Sequence, residues 1–414
     1  EDHAIWTQMA YTGSVNKLEF SPLDIAALQY LYGPNPASRA DDDTYDYSST
    51  DANFIWDGAG TDTIDASSAT EKVTIYLEPG YWGFGGEVKA DTITSNGQIT
   101  VNFGTVIENL KGSNYDDKLV GSSIANAING GSGDDSIYGG DGNDSLDYTY
   151  AYGDDTLYGG KGNDSYYIYG WGGSDTIIEL VDEGFDYVNT SISFSLENIP
   201  NVEALYSFNN VTADLTLTGN ELDNYIVPSD GNCVIYGKDG VDIVSYLRDW
   251  TRADCTIFKI SGVLKVLKGN GNTDTLISCE KISFSDQGVT ISELQLDLVV
   301  VEFSPADDTT EIAVASDITI TFSEAIKVGT GNITLKKSDG TVVATYDAAS
   351  STNLSISDKT LTINPSEDLD TDTTYELVLD EGAIVDINDN KYNQSGDYQF
   401  TTIDTIAPTA SGFS

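Results

Sequence analysis

Between residues 112 and 167, acidic side chains recur at a fixed spacing from glycines and from one large apolar residue. The two most regular copies are residues 130–138 (GGSGDDSIY) and residues 139–147 (GGDGNDSLD). Glycine adopts positive φ without strain, so such turns can aim several carbonyl oxygens at one point. The acidic residue at position six adds an anionic oxygen, and Ca²⁺ accepts both kinds of ligand because its coordination is flexible. The pattern therefore predicts a series of calcium sites.

The predicted ligands lie at equivalent positions of successive copies. Asn126 replaces the aspartate in one copy, which should weaken that site. The apolar positions step by nine residues except between Leu146 and Leu157, where the step is eleven. We expect a bulged turn and a weak or missing site at this insertion, near residues 147–152. The predicted calcium ligands of the array are Asp117, Gly131, Gly133, Asp135, Gly140, Gly142, Asp144, Asp155, Gly160, Gly162 and Asp164.

Each copy also carries one large apolar residue two positions after the acidic one. A three-residue strand would point it inward, and the resulting core would consist of Leu119, Ile128, Ile137, Leu146, Leu157 and Tyr166. One apolar side chain in nine residues makes a thin core, so ion binding must supply much of the folding free energy. A flexible linker rich in glycine and aspartate is the alternative. A linker would not keep an apolar residue in phase with a carboxylate over six copies.

The shared form, G-G-x-G-x-D-x-U-x with U a large apolar residue, resembles the nonapeptide repeat of RTX proteins. Those repeats coil into a calcium-filled parallel β-roll, here expected over residues 37–178. The resemblance implies repeats that stay unfolded at the low free Ca²⁺ inside a cell and fold outside it. It also implies a secreted, extracellular protein, exported by the type I system of a Gram-negative bacterium.

The composition limits the class of protein and its partners. Among 414 residues, 67 are acidic and 19 basic, and the net charge of −48 argues against nucleic acid and anionic membranes as partners. A saline habitat is a competing explanation of this acidity. No stretch is apolar enough to insert into a membrane as a helix. The three cysteines do not form a disulfide scaffold, although Cys255 and Cys279 could pair. Abundant glycine and β-branched residues predict a mostly β protein.

Residues 1–36 contain the single predicted helix. Ser21 is its expected N-cap, Pro22 its first residue and Asp24 a favourable charge in the first turn, and Gly33 and Pro34 end it. With residues 9–11 (MAY), this segment resembles the end of the catalytic domain of serralysin-type secreted zinc metalloproteases.

In that family a methionine-containing turn lies beneath the zinc, and the resemblance assigns Met9 to the turn and Tyr11 to a zinc-reaching tyrosine. This chain has one histidine, His3, and no H-E-x-x-H, so it cannot assemble the zinc site itself. His3 is therefore interpreted as an ordinary loop residue. Tyr11 would meet zinc, and Zn²⁺ would be a cofactor, only in a parent protein that contains the missing catalytic half.

The same resemblance implies calcium ligands on the flank that precedes the array. They are Asp57, Asp62 and Glu108. Residues 41–43 (DDD) fall where a ligand loop is expected but one position out of register, and a solvated acidic turn explains them equally well. Residues 179–295 are predicted to form a second, degenerate RTX-like β domain. In it Asp242 is the plausible calcium ligand, and Asp223 is weaker because a single turn supplies too few oxygens.

Residues 296–404 lose the glycine repeats and show about seven short alternating segments, which predict an Ig-like β-sandwich. Asp339 and Gly340 form a hairpin-turn pair. The segment resembles bacterial Ig-like domains of surface-layer and adhesive proteins. Residues 386–390 could bind an ion, although a plain turn is the favoured interpretation. Residues 405–414 look like a linker into a further such domain.

Two functions fit these features. The first is the extracellular calcium-binding and Ig-like region of a secreted serralysin-like metalloprotease, without a complete catalytic site in this chain. The second is a structural subunit of a surface layer, adhesin or filament, which would self-assemble or contact a cell surface through its Ig-like repeats. A carbohydrate-active enzyme carrying an RTX module is a weaker third alternative.

Overall fold

The structure is a computed structural model. It describes residues 22–33, 35, 37, 39–148, 152–170, 173–208, 211–247, 250–260, 262–294, 296–393 and 397–404. The chain divides into two compact units, Glu1–Tyr246 with Ser278–Ser283, and Leu247–Ile277 with Phe284–Ser414. Almost all regular structure is β, which confirms the predicted class. In the described ranges, none of the helices has the length and apolar character needed to cross a membrane.

Within the described ranges the single α-helix is α1 (Pro22–Tyr32), which begins at the predicted proline. Gly33 follows it with φ +79°, and its N–H donates to the Gln29 carbonyl at 2.8 Å, which closes the last turn. The expected N-cap Ser21 lies outside the described residues. His3, Met9 and Tyr11 also lie outside them.

The strands of the first unit are short, and most have three or four residues. In chain order they are β1 (Thr44–Asp46), β2 (Asn53–Ile55), β3 (Thr63–Asp65), β4 (Val73–Tyr76), β5 (Gly83–Gly85), β6 (Gln98–Val101), β7 (Asn109–Lys111), β8 (Lys118–Val120), β9 (Ala127–Asn129), β10 (Ser136–Asp141), β11 (Ser145–Leu146), β12 (Thr156–Lys161), β13 (Ser165–Ile168), β14 (Thr176–Ile178), β15 (Tyr187–Thr190), β16 (Phe194–Ser195), β17 (Ala204–Ser207), β18 (Thr216–Thr218), β19 (Tyr225–Val227), β20 (Val234–Tyr236) and β21 (Ile243–Tyr246).

Alternate repeats enter two different parallel sheets, so one turn of the coil takes two repeats. Sheet 1 has the order β1-β3-β7-β9-β11-β13-β15-β17-β19-β21, followed by β25 (Lys281–Phe284). Sheet 2 has the order β14-β12-β10-β8-β4-β5-β6-β2, in which β5 runs antiparallel to its neighbours. A further set, β16-β18-β20, is parallel. This is the winding expected of a β-roll.

The strand registers stack the predicted apolar residues into two columns. In sheet 2, Ile137 pairs with Leu119 on one side and Leu157 on the other. In sheet 1, Leu146 pairs in the same way with Ile128 and Tyr166. All six of these side chains are fully buried, which confirms the predicted thin core.

The two-residue insertion widens one turn of the coil without breaking either column. Ile137 and Leu157 are partners although they are twenty residues apart, whereas Leu119 and Ile137 are eighteen apart. Asp147, at the start of the insertion, has φ +63°. The bulge predicted for this turn falls largely on residues 149–151, which lie outside the described residues.

Sheet 1 continues beyond the array through β15, β17, β19 and β21, each parallel to the one before it. The predicted start of a second domain, residue 179, therefore lies inside a run of paired strands, and the first compact unit reaches Tyr246.

The remaining elements are two 3₁₀ helices, Arg252–Asp254 and Ile291–Glu293, and the strands β22 (Thr256–Ile260), β23 (Val263–Leu267), β24 (Thr273–Ile277), β25 (Lys281–Phe284), β26 (Gly288–Thr290), β27 (Val300–Ser304), β28 (Thr309–Ile312), β29 (Ile318–Phe322), β30 (Ile326–Val328), β31 (Asn332–Lys337), β32 (Val342–Asp347), β33 (Leu354–Ser357), β34 (Thr360–Ile363), β35 (Thr374–Leu379), β36 (Ile384–Asp386) and β37 (Tyr398–Thr402). Within the second unit, β22, β23 and β24 form an antiparallel meander.

Strands β27 to β37 form the Ig-like sandwich. Its sheets have the orders β27-β29-β34-β33 and β28-β37-β35-β31-β32, with β30-β36 as a separate pair. Residues alternate between buried and half-buried along β29 and β35, so each sheet turns one face to a shared core that includes Phe322, Leu335 and Leu377. The structure has more strands here than the seven or so expected. It also contains the hairpin at Asp339 and Gly340, between β31 and β32.

Candidate calcium sites

Acidic and amide side chains follow one edge of sheet 1 in a regular row. Each lies two residues before a fully buried apolar residue of a sheet 1 strand, so the strand register brings the members into line. We call this the sheet 1 row. Its members are Asp62, Glu108, Asn126, Asp144, Asp164, Asp186, Glu203, Asn224, Asp242 and Glu280.

The opposite edge has an equivalent sheet 2 row, which precedes the strands of sheet 2. It consists of Asp117, Asp135, Asp155 and Asp175. The structure therefore separates the predicted aspartates of successive repeats, because alternate repeats feed opposite edges of the roll.

Within each row, one carboxylate oxygen accepts a hydrogen bond from the backbone of the preceding member. The Asp117 N–H donates to Asp135 Oδ1 at 2.7 Å, and the Asp135 N–H donates to Asp155 Oδ1 at 2.8 Å. In the sheet 1 row, the Asp144 N–H donates to Asp164 Oδ1 at 2.7 Å. Each carboxylate therefore ties its own turn of the roll to the neighbouring turn.

The second carboxylate oxygen is buried without a hydrogen-bond partner at five predicted ligands. These atoms are Oδ2 of Asp62, Asp135, Asp144, Asp164 and Asp242. A buried anionic oxygen without a partner is costly unless a cation occupies the space beside it. These oxygens therefore fit calcium as well as the sequence pattern does.

Glycines clear the space next to these oxygens. A Cβ atom on Gly130 would lie 2.2 Å from Asp135 Oδ2, and one on Gly139 would lie 2.3 Å from Asp144 Oδ2. The six glycines predicted to supply carbonyl ligands all have positive φ, between +97° at Gly160 and +137° at Gly162. Only glycine adopts this region readily, so the turns can bring carbonyls and a carboxylate together.

Burial and mutual repulsion make these carboxylates hard to ionise without a cation. Burial first, and then the negative charges of Asp155, Asp117 and Asp147, raise the pKa of Asp135 to about 9. Burial and the charge of Asp164 raise the pKa of Asp144 to about 7. A bound divalent cation would reverse this balance, because it favours the charged form of each ligand.

At two positions of the sheet 1 row an amide occupies the place of the aspartate. Asn126 Nδ2 donates to the carbonyls of Ile107 at 3.1 Å and Glu108 at 3.2 Å. Asn224 Nδ2 approaches the Glu203 carbonyl in the same way, at 3.3 Å. An asparagine here satisfies the carbonyls with its own N–H groups, so these two turns need no ion.

At the beginning of the roll, Asp62 of the sheet 1 row belongs to a cluster of three aspartates. Asp43, Asp57 and Asp62 each offer a carboxylate oxygen within 4.8 Å of the others. The predicted ligand Glu108 lies next to this cluster, because its Oε2 accepts the Asp62 N–H at 2.8 Å. Asp43 thus belongs with the predicted Asp57 and Asp62 despite the shifted register of residues 41–43 in the sequence.

The weaker sequence candidates have different surroundings. Asp242 is buried, and its N–H donates to Glu280 Oε2 at 2.9 Å, whereas Asp223 is exposed. Asp386 Oδ1 accepts the N–H groups of Asn388 and Asn390, each at 2.8 Å, an arrangement typical of a plain turn. Tyr11 lies outside the described residues.

Several acidic residues that the fold brings to the two edges were not among the predicted ligands. They are Asp147, Asp175, Glu179, Asp186, Glu203 and Glu280. Asp175, Asp186, Glu203 and Glu280 obey the same rule as the predicted ligands, two residues before a buried apolar side chain, and that rule would have found them without any glycine signature. Asp147 and Glu179 do not follow it.

Comparisons with known proteins agree with this geometry. Residues 47–69, 111–146 and 151–178 match the family model for the RTX calcium-binding nonapeptide repeat (4 copies). Residues 296–402 match the family model for a bacterial Ig-like domain. The chain therefore contains RTX calcium-binding repeats followed by a bacterial Ig-like domain, as the sequence predicted.

Part of the chain is also similar to bacterial serralysins and to a bacterial metallopeptidase. Serralysin from Photorhabdus sp. (strain Az29) is 33% identical over 143 residues, which are 29% of this chain and 28% of that protein. Serralysin C from Dickeya chrysanthemi is 36% identical over 111 residues, 23% of this chain and 22% of the relative. Metallopeptidase AprA from Pseudomonas marginalis is 34% identical over 125 residues, 26% of this chain and 24% of the relative. The chain spans about a quarter of the length of these curated relatives.

Proposed function

We propose that this chain is the calcium-stabilised, non-catalytic region of a secreted extracellular protein. Its roll would stay unfolded at the low free Ca²⁺ of the cell interior and fold at the millimolar Ca²⁺ outside, the range typical of extracellular calcium modules. The Ig-like sandwich, which has an apolar core of its own, would fold independently of calcium.

The observation that carries this proposal is the set of buried, unpartnered Oδ2 atoms of Asp135, Asp144 and Asp164, each beside a glycine that leaves room for an ion. In the absence of cations, these charges would repel one another across a core that contributes one apolar residue per repeat. A folded roll at neutral pH therefore requires positive charge along both edges.

The test is a circular-dichroism melt of the chain in calcium and in EDTA. In calcium we expect two transitions, one for the roll and one for the sandwich, and in EDTA only the transition of the sandwich. Magnesium at the same concentration should restore little of the lost signal, because Mg²⁺ needs near-octahedral geometry and keeps its waters. A β signal and melting profile unaffected by EDTA would contradict the proposal.

We further propose that the parent protein is a serralysin-like metalloprotease whose catalytic residues lie outside this chain. The support is the similarity to serralysins and the sequence of residues 9–33, which resembles the end of their catalytic domain. Casein digestion by the longer protein, with and without added zinc, tests this. Failure to digest casein under calcium- and zinc-replete conditions would count against a protease.

A structural subunit of a surface layer, adhesin or filament is the second candidate, favoured by the bacterial Ig-like domain at residues 296–402. In that case calcium would stiffen the roll as a spacer, and the Ig-like part would mediate self-assembly or cell-surface contact. Electron microscopy of the secreted protein distinguishes the two, because ordered polymers support the structural role and dispersed particles do not.

A further inference from the structure

A buried group of three carboxylates lies where the repeat array gives way to the rest of sheet 1. Asp164, Glu179 and Asp186 each offer a carboxylate oxygen within 4.8 Å of the other two. Asp164 is 0% exposed, Glu179 is 6% exposed and Asp186 is 1% exposed. Asp164 is a repeat residue, but Glu179 and Asp186 lie beyond the last repeat.

The register of sheet 2 explains why Glu179 reaches this group. Tyr158 of β12 pairs with Ile178 of β14, so Glu179 falls beside Gly159, the next residue of the neighbouring turn. Side chains alternate along a strand, and Glu179 therefore points inward on the same side as the buried Ile177. The glycine position of earlier turns is here taken by a glutamate.

The Glu179 side chain occupies the space that glycine leaves open elsewhere. A Cβ atom on Gly159 would lie 2.3 Å from Glu179 Oε1 and 2.4 Å from Asp164 Oδ2. Both carboxylates thus converge on the point where the repeats place an ion. Tyr166 adds a fourth oxygen there, because its hydroxyl donates to Glu179 Oε1.

Two oxygens of the group are buried without any hydrogen-bond partner, Asp164 Oδ2 and Glu179 Oε2. Asp186 Oδ1 already accepts the Asp164 N–H at 2.8 Å. None of the ion pairs within the described ranges involves these three residues. Three buried negative charges at such short range require a cation to be stable together.

We propose that Asp164, Glu179 and Asp186 form a calcium site of their own, in which Glu179 replaces the glycine carbonyls of the regular repeats. The proposal rests on the proposed calcium-stabilised roll. The site joins the last repeat to β15 across the two sheets, because Asp164 and Asp186 precede β13 and β15 of sheet 1 and Glu179 follows β14 of sheet 2. It would act as a clamp that extends calcium control beyond the nonapeptide array.

The test compares the calcium bound by Glu179→Gln and by the wild-type chain, measured by equilibrium dialysis against millimolar calcium, at which the roll is folded. We expect the variant to hold one ion fewer per chain and to show faster hydrogen exchange in residues 187–207. Glu197→Gln is the matched control, since Glu197 is exposed and pairs with Lys238, and it should keep the wild-type ion count. Tyr166→Phe keeps all three carboxylates and should also keep the ion.

The outcomes separate this proposal from the function on which it rests. A wild-type chain that binds no calcium would overturn the proposed function, whereas an unchanged ion count in Glu179→Gln would overturn only the clamp. If Glu179→Gln fails to fold even in calcium, crystals of the wild-type chain grown with Tb³⁺ decide the question. An anomalous peak among the three carboxylates is the expected result, and its absence overturns the site.

Discussion

An asparagine at position six of a repeat should stabilise its turn in place of a calcium ion. Asp144→Asn tests this, because it exchanges one carboxylate oxygen for an amide nitrogen. The amide oxygen can keep the hydrogen bond that Asp144 Oδ1 now accepts from the Asn126 N–H at 2.7 Å. The amide N–H₂ would take the place of Oδ2, which is buried and unpartnered. The native Asn126 and Asn224 already close their turns in this way.

Asp144→Asn should stabilise the roll without calcium and destabilise it with calcium. Without calcium, burial and the charge of Asp164 raise the pKa of Asp144 from 3.8 to about 7, a shift equivalent to about 4 kcal/mol against the ionised form. Asp144→Asn removes this unfavourable buried charge. At pH 8 in EDTA the free energy of unfolding of the variant should therefore exceed that of the wild type by up to about 4 kcal/mol. With calcium, the variant loses a charged ligand and should bind that ion at least tenfold more weakly, about 1.4 kcal/mol.

The assay is the thermal midpoint of the roll, followed by circular dichroism, in saturating calcium and in EDTA with a stabilising osmolyte such as trimethylamine N-oxide, which brings the calcium-free roll into a measurable range. Asp144→Ala also removes the charge but leaves the buried Asn126 N–H without an acceptor, so in EDTA it should be about 1–3 kcal/mol less stable than Asp144→Asn. Asp397→Asn, an equal charge change at an exposed residue of the second unit, should have no calcium-dependent effect. Equal destabilisation by Asp144→Asn in both conditions would refute the reasoning.

Three other changes test separate parts of the structure. Gly139→Ala would place a Cβ atom 2.3 Å from Asp144 Oδ2, so calcium affinity measured by titration calorimetry should fall at least tenfold; unchanged affinity would mean that no ion needs this space. In calcium-depleted buffer that contains the same osmolyte, the roll should be more stable at pH 5 than at pH 8. The raised pKa of Asp144, about 7, makes the folded state bind more protons than the unfolded state above pH 3.8, so stability falls as pH rises through this window; melts at the two pH values check the sign. Leu335→Ala should destabilise the sandwich by about 2–5 kcal/mol, equally in calcium and in EDTA, while Val342→Ala, 58% exposed, should have little effect in the same melts.

The core of the roll could be predicted because its period is strict. A side chain such as Ile137 is buried because every strand offers a single inward position, and the nine-residue step carries that position from repeat to repeat. The same regularity places Asp135 and Asp144 at the edges of the roll. Where the step becomes irregular, as at Asp186 and Glu203, the leading pair of glycines is lost, and the full glycine signature no longer marks residues that the fold still aligns.

Other features depend on contacts that no local pattern encodes. Asp147 is buried at the sheet 2 edge because its backbone adopts φ +63° and its Oδ1 accepts the Gly130 N–H at 3.2 Å, from a residue seventeen positions earlier. Glu179 reaches Asp164 only because β12 and β14 pair in one particular register. Both contacts become visible when neighbouring turns are stacked, and a sequence does not show which residues of two turns face each other.

The asparagines divide the sheet 1 row into groups that calcium should control separately. Within a group, one carboxylate both faces an ion and accepts the backbone N–H of the preceding turn, as Asp164 does from Asp144. An ion that fixes one carboxylate therefore also positions the backbone of the next site, which favours cooperative binding. At Asn126 and Asn224 the turn is closed by amide hydrogen bonds that persist without calcium. We expect these two turns to bound the charged segment, from Asp144 to Glu203, that folds as a unit when calcium binds.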